Sequence, residues 1–68
     1  MDHNESTRKF ENLMLREADR ARETATELEA LVPVLPNEKS RQLAQLQIKA
    51  FHKQAKEFRE LALRVKES

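Results

Sequence analysis

Carboxylates are the side chains of this sequence most able to carry out acid–base chemistry. They recur along most of its length, as Glu11, Glu17, Asp19, Glu23, Glu27, Glu29, Glu57 and Glu60. Two carboxylates serve as general acid and general base only inside a pocket that shifts their pKa values apart. Many of these residues instead lie three or four positions from a basic residue, as Glu60 does from Lys56 and Arg64. That spacing is typical of ion pairs on a solvated helix surface, and we predict a protein that is not an enzyme.

Metal ligation, nucleophilic catalysis and phosphate binding by a glycine-rich loop need residue patterns that are missing here. There is no cysteine and no glycine among the 68 residues. Neither His3 nor His52 follows a glutamate by three positions, as the Glu-x-x-His pattern of di-iron bundles requires. No serine stands in the type of turn that a nucleophilic serine needs. We therefore predict that the protein binds no metal and no cofactor.

A cluster of basic residues in the C-terminal half is the best candidate for recognising a ligand by charge. Beside His52, on one side of a predicted helix, lie Lys49, Lys53, Lys56 and Arg59. In a dimer, two such clusters could contact a phosphate backbone, which makes RNA or DNA binding the alternative function. The net charge of only +1 and the absence of tyrosine and tryptophan favour the simpler interpretation of a solubilising surface. Nucleic acid is therefore the less favoured partner.

Two prolines separate the elements that must position these side chains. The segment from Val32 to Asn37 holds Pro33 and Pro36, the two prolines of the chain. Proline cannot continue a helix interior, and it disfavours the α conformation in the residue before it. The sequence therefore predicts a single all-α domain over 1–68, an antiparallel αα-hairpin. Its first helix is predicted at about 5–31, its turn at 32–37 and its second helix at about 38–66.

Polar residues predict where each helix begins. Asn37 precedes the second helix as a good N-cap, or Pro36 occupies the first helical position. At the start of the first helix, Asp2 and Glu5 have the spacing of a capping box. The rival caps at this end are Asn4, Ser6 and Thr7. The sequence thus leaves the first boundary open over several residues.

Each predicted helix carries an apolar stripe whose steps alternate between three and four residues, which is the spacing of a coiled-coil seam. In the first helix the stripe is Met14, Ala18, Ala21, Ala25, Leu28 and Val32. In the second helix it is Ala44, Ile48, Phe51, Ala55, Phe58, Ala62 and Val65. Alanine lets two backbones approach, and phenylalanine fills the space that alanine leaves. We therefore predict that two aromatic rings lie over three alanines: Phe51 and Phe58 over Ala18, Ala21 and Ala25.

Several apolar side chains fall outside this seam and indicate a second contact surface. Two helices alone cannot cover so wide an apolar arc. A second hairpin would cover it in a four-helix bundle, and a closed two-fold dimer is the commonest pairing of identical chains. We predict a small interaction module that forms this homodimer or binds helices of another protein. The predicted contact residues are Leu13, Leu31, Leu35, Leu43, Leu46, Ala50 and Leu61.

Charge is distributed unequally between the two halves of the chain. Residues 1–37 hold five basic and eight acidic side chains, whereas residues 38–68 hold eight basic and four acidic ones. This favours pairing of the two helices, although each exposed ion pair stabilises by only about 0–1 kcal/mol. No apolar run is long enough to span a membrane and the first residues are polar, so we predict a cytoplasmic protein without a membrane partner. In architecture alone, the layout resembles small plasmid-encoded RNA-binding hairpin dimers and hairpin chaperones of secretion systems.

Overall fold

A computed structural model of the protein describes residues 3–67 and is an α-helical hairpin. Helix α1 spans His3–Leu31 and helix α2 spans Glu38–Glu67. The two helices pack against each other along their length. A short 3₁₀ helix, Val32–Val34, forms the first half of the connection between them. The prediction of an all-α hairpin is confirmed, and the second helix begins at the predicted residue.

Helix α1 begins earlier than the sequence predicts. Its first described residue is His3, two positions before the predicted start. The rival caps Asn4, Ser6 and Thr7 all lie inside the helix, so none of them is its N-cap. Asp2, the remaining predicted cap, lies outside the described residues. The many polar side chains at this end each fit a capping position, which is why the sequence alone does not select one of them.

The connection between the helices is held by hydrogen bonds at both of its ends. Asn37 caps α2, because its Oδ1 accepts a hydrogen bond of 2.8 Å from the amide of Ser40. Nη1 of Arg41 donates to the carbonyl oxygen of Leu35 at 3.0 Å. The amide of Leu35 donates in turn to the carbonyl oxygen of Val32 at 3.2 Å. These contacts tie the connection to the first turn of α2 and fix the direction in which α2 leaves it.

Alanine forms the centre of the seam between the helices. The buried residues of the described chain are Ala18, Ala21, Ala25, Ala55 and Ala62. Phe51 and Phe58 pack against the cluster formed by Ala18, Ala21 and Ala55. The predicted contact of phenylalanine with alanine is therefore confirmed for Ala18 and Ala21, while Ala25 is buried outside that cluster. All thirteen residues of the two predicted stripes are buried or partly buried.

The seam contains no buried polar or charged residue in the described part of the chain. In other helical pairs, a single buried polar residue fixes the register of one helix against the other. Here the register depends on large side chains such as Phe58 lying against small ones such as Ala18. The packing of large side chains against small ones therefore contributes to the register of the hairpin.

The hairpin is a thin rod with little interior. Its Cα atoms extend over 54 × 14 × 12 Å, and its radius of gyration is 15.9 Å, against about 11 Å for a compact domain of this length. Its accessible surface is 5582 Å², whereas a compact monomer of 8.0 kDa has about 4,500 Å². The single chain thus exposes about 1,000 Å² more than a compact protein of its mass.

Candidate interaction surface

The hairpin has two broad sides, one on each side of the seam, and their contacts distinguish them. On one side, Glu17 and Thr24 of α1 line a shallow groove together with Gln54 of α2. On the other side, Nε2 of His52 in α2 lies 3.1 Å from Oε1 of Glu29 in α1. Because seven residues make almost two full helical turns, residues seven positions apart share a side. These contacts therefore assign most exposed side chains to one side or the other.

The side that carries the groove collects most of the exposed apolar residues, and we call it the apolar face. Leu31 lies seven residues after Thr24, and Leu61 lies seven residues after Gln54. The described residues include nine large apolar side chains that are exposed. Five of these belong to the apolar face: Phe10, Leu13, Leu31, Leu43 and Leu61. Leu46 lies on the outer surface of α2, where it lines a depression with Gln42, Gln45 and Lys49. Leu15 and Leu63 lie on the opposite side, and Val34 lies in the connection.

Five of the seven predicted contact residues lie on the apolar face, whereas Leu46 lies on the outer surface of α2 and Leu35 in the connection. Leu43 and Leu46 are 57% and 62% exposed, although leucine is usually buried. Ala50 is also exposed, and it lines a depression of α2 beside Gln54. Leu35 differs from the other six, because it lies in the connection and is partly buried within the single chain. Phe10 belongs to the same face and was not among the predicted contact residues; its spacing of seven from Glu17 identifies it.

Apolar side chains occupy the two ends of the apolar face, and polar ones occupy its middle. Leu31 and Leu43 lie near the turn, whereas Phe10, Leu13 and Leu61 lie near the open end of the hairpin. The polar middle is made of Glu17, Arg20, Thr24, Glu27, Gln54 and Glu57. Nη1 of Arg20 lies 3.7 Å from Oε1 of Glu17 within α1. A partner for this face needs two apolar areas separated by a polar one.

The opposite side of the hairpin carries a stripe of cations, and we call it the basic face. Lys49 lines a depression with Glu29 and Gln45, which places it on the side of the His52 contact. Lys56 follows Lys49 by seven residues and Arg59 follows His52 by seven, so both share that side. Helix α1 adds Arg22, seven residues before Glu29. This contribution from the acidic helix becomes visible only when the register of the two helices is known.

Lys53 lies at the edge of the basic face, on the outer surface of α2. It is four residues after Lys49 and three residues before Lys56, so it is their neighbour on the helix. It also lines a depression with Gln47, Ala50, Gln54 and Glu57, towards the apolar face. The predicted nucleic-acid contacts therefore occupy adjoining parts of α2, and Arg22 of α1 lies on the same side as Lys49.

The cations of the basic face are not neutralised by neighbours. Within the described chain, ion pairs join Lys9 to Glu5, Arg20 to Glu17 and His52 to Glu29. By contrast, there is no ion pair in the described residues for Arg22, Lys49, Lys53, Lys56 or Arg59. These positive charges are therefore free to interact with solvent or with an anionic partner.

One surface depression is formed by helix α1 alone. It draws its lining from Asp19, Arg22, Glu23, Thr26 and Glu27, all of which belong to α1. A depression lined by a single helix is an outer groove that cannot surround a substrate. In residues 3–67 no group of three or more acidic or histidine side chains is arranged to hold a metal ion. Neither described helix combines the length and the apolar character needed to cross a lipid bilayer.

Comparisons of the chain with protein-family models, with curated proteins and with solved structures give no match. The functional argument therefore rests on the two faces of the hairpin.

Proposed function

We propose that this protein is a non-enzymatic interaction module that associates with a second copy of itself through the apolar face. The observation that supports this proposal is the collection of five exposed large apolar side chains on one side of a two-helix rod. Apolar patches of this kind on small soluble proteins usually mark contact surfaces. A second hairpin would cover the face and create a four-helix bundle, in which each leucine contacts apolar neighbours rather than water.

The area of the face fits a second copy. Its Cα footprint is 54 Å by 14 Å, on the order of 750 Å², and a standard stable interface buries about 800 Å² on each partner. The excess of about 1,000 Å² of exposed surface over a compact monomer is of the same size. A chain this short and without a disulfide also gains stability from association, because it has little core of its own. Helices of another protein are the alternative occupant of the same face.

The proposal is tested by the molar mass of the protein in solution, measured by sedimentation equilibrium. The wild-type chain is expected to form a dimer, and Leu43→Asp should raise the dimer dissociation constant at least tenfold, because it places a carboxylate in an apolar contact. Leu63→Asp is the matched control, since Leu63 is 56% exposed but lies on the basic face. A wild-type chain that stays monomeric at high concentration would leave self-association without support and direct attention to a foreign helix.

A second candidate function is binding of a nucleic-acid phosphate backbone by the basic face. The observation that favours it is that Arg22 of α1 joins Lys49, Lys56 and Arg59 of α2, none with an acidic partner among the described residues. A stripe formed by both helices is broader than one formed by a single helix and can follow a backbone of phosphates. The carboxylates of Asp19 and Glu29 on the same side limit its positive potential.

Two charge reversals separate this function from the solubilising role of a basic surface. Binding of duplex RNA and DNA should weaken steeply with salt and fall with Arg22→Glu. Lys9→Glu makes the same change in net charge near the open end of α1, at a lysine that is already ion-paired with Glu5, and it should have little effect. Equal effects of the two variants, or no binding at low salt, would exclude the basic face as a nucleic-acid site.

A further inference from the structure

We propose that the second copy packs on the apolar face with its turn at the same end, so that α1 of each chain lies on α2 of the other. This inference rests on the proposed self-association and specifies its geometry. The argument uses the heights of the side chains along the rod and the charges in the middle of the face.

Two arrangements of a two-fold dimer are open to a hairpin that pairs through one face, because the axis lies in the plane of contact. An axis along the rod places both turns at one end and lays α1 on α2 of the second copy. An axis across the rod places the turns at opposite ends and lays each helix on its own counterpart. The two arrangements therefore bring different side chains together.

The cluster of Ala18, Ala21 and Ala55 sets the relative height of the two helices. Ala21 and Ala55 share this cluster, and each residue along a helix adds 1.5 Å. Towards the open end, Arg20 is one residue from Ala21, and Glu57 is two residues from Ala55. The two charged residues are therefore at nearly the same height, on different helices of the apolar face.

The apolar residues are matched in height in the same way. Towards the turn, Leu31 is ten residues from Ala21 and Leu43 is twelve residues from Ala55. Towards the open end, Leu13 is eight residues from Ala21 and Leu61 is six residues from Ala55. When α1 lies on α2 of the second copy with the turns together, leucine meets leucine within two residues of height at both ends. Arg20 then meets Glu57 of the second copy in the middle. Glu17 is within two residues of the same height, and its carboxylate lies 3.7 Å from Arg20 of its own chain.

The arrangement with opposite turns produces a repulsion instead. To bring leucine onto leucine along α1, Leu13 must lie on Leu31 of the second copy. Leu13 and Leu31 are centred on residue 22, and Glu17 and Glu27 are centred on the same residue. The placement that sets Leu13 on Leu31 of the second copy therefore also sets Glu17 on Glu27 of the second copy. This contact between two glutamates occurs twice in each dimer. Like charges brought together in an interface are strongly disfavoured. With both turns at the same end, the acidic helix α1 lies on the basic helix α2 of the second copy. This charge pairing also favours the same-end arrangement.

Mixing two charge variants tests the contact between Arg20 and Glu57. Arg20→Glu and Glu57→Arg should each weaken the homodimer roughly tenfold, because each creates two like-charge contacts. An equimolar mixture should recover wild-type affinity, since both contacts in the mixed dimer again join opposite charges. Arg22→Glu and Asp19→Arg carry the same changes in net charge on the basic face, so this pair should show neither weakening nor recovery. Absence of recovery in the first mixture would overturn the proposed geometry.

The distance between the two turns is the most direct measurement. Because the chain has no cysteine, Glu38→Cys places a single spin label beside the turn. Turns at the same end predict a distance below about 30 Å, the width of a bundle whose helix axes are about 10 Å apart. A dimer with a distance close to the 54 Å length of the rod would overturn the geometry and leave self-association intact. A monomer in the same sample, detected by sedimentation, would overturn both.

Discussion

Glu29 of α1 and His52 of α2 meet across the seam, with Nε2 of the imidazole 3.1 Å from Oε1 of the carboxylate. The two residues are 23 positions apart in the sequence, so their contact reports directly on how the helices are placed. It is a side-chain contact between α1 and α2 in the described part of the chain. It also identifies the basic face, because it defines the side that Arg22, Lys56 and Arg59 share.

The contact between Glu29 and His52 is expected to contribute little to stability. Both side chains are about half exposed, and exposed pairs of this kind stabilise by about 0–1 kcal/mol. A double-mutant cycle of Glu29→Ala and His52→Ala, measured by urea unfolding at constant protein concentration, should give a coupling free energy in that range. A coupling well above about 2 kcal/mol would show that the contact is shielded from water by a partner.

Ala25 should not tolerate a larger side chain. It is 0% exposed where the two helix backbones approach, so Ala25→Leu would force them apart. Overpacking a core position costs about 1–3 kcal/mol of unfolding free energy. Ala30→Leu is the control, because Ala30 is exposed on the same helix. Thermal unfolding followed by circular dichroism compares the two variants, and equal stability would mean that the seam has room to expand at Ala25.

Phe58 and Phe10 should behave differently although they are the same residue type. Phe58 packs on the alanine cluster, and its replacement by alanine should cost about 2–4 kcal/mol at any protein concentration. Phe10 is 40% exposed on the apolar face, so Phe10→Ala should mainly weaken the dimer. Unfolding measured at two protein concentrations a hundredfold apart separates these effects. If both variants lost the same stability under dilute conditions, Phe10 would belong to the core of the hairpin.

Asn37 is expected to stabilise the start of α2. Its Oδ1 accepts the amide hydrogen of Ser40, and loss of an N-cap side chain typically costs about 1 kcal/mol. Asn37→Ala should therefore lower the urea midpoint, while Asn37→Asp should keep most of the stability, because aspartate caps equally well. Gln42→Ala, at an exposed position of the same helix, is the control and should leave the midpoint nearly unchanged.

The sequence predicts the seam of the fold well, because burial in a two-helix structure follows the spacing of apolar residues. All thirteen stripe residues are at least partly buried, and Asn37 caps α2 as its position before the helix suggested. The start of α1 was placed too late, since several neighbouring polar residues are equally suited to capping. At this end several polar residues could each cap the helix, and the sequence alone does not show which of them does.

The two faces could be predicted only in part. The spacing of leucines within one helix identifies an exposed apolar stripe, and five of the seven predicted contact residues lie on one side of the hairpin. Which residues of α1 stand beside which residues of α2 depends on register, and register follows from packing between distant residues. For that reason the sequence alone did not identify Arg22, which belongs to the other helix, as part of the basic face.

The alanine seam has a calorimetric consequence. The heat capacity of unfolding rises with the apolar area that becomes exposed, and five alanines bury little such area. A single hairpin should therefore have a small heat-capacity change and a stability that varies little between cold and warm conditions. Covering the leucines of the apolar face would enlarge that change and curve the temperature dependence. The curvature of the stability curve, followed as the protein is diluted, thus reports how much of its folding free energy belongs to one chain and how much to the pair.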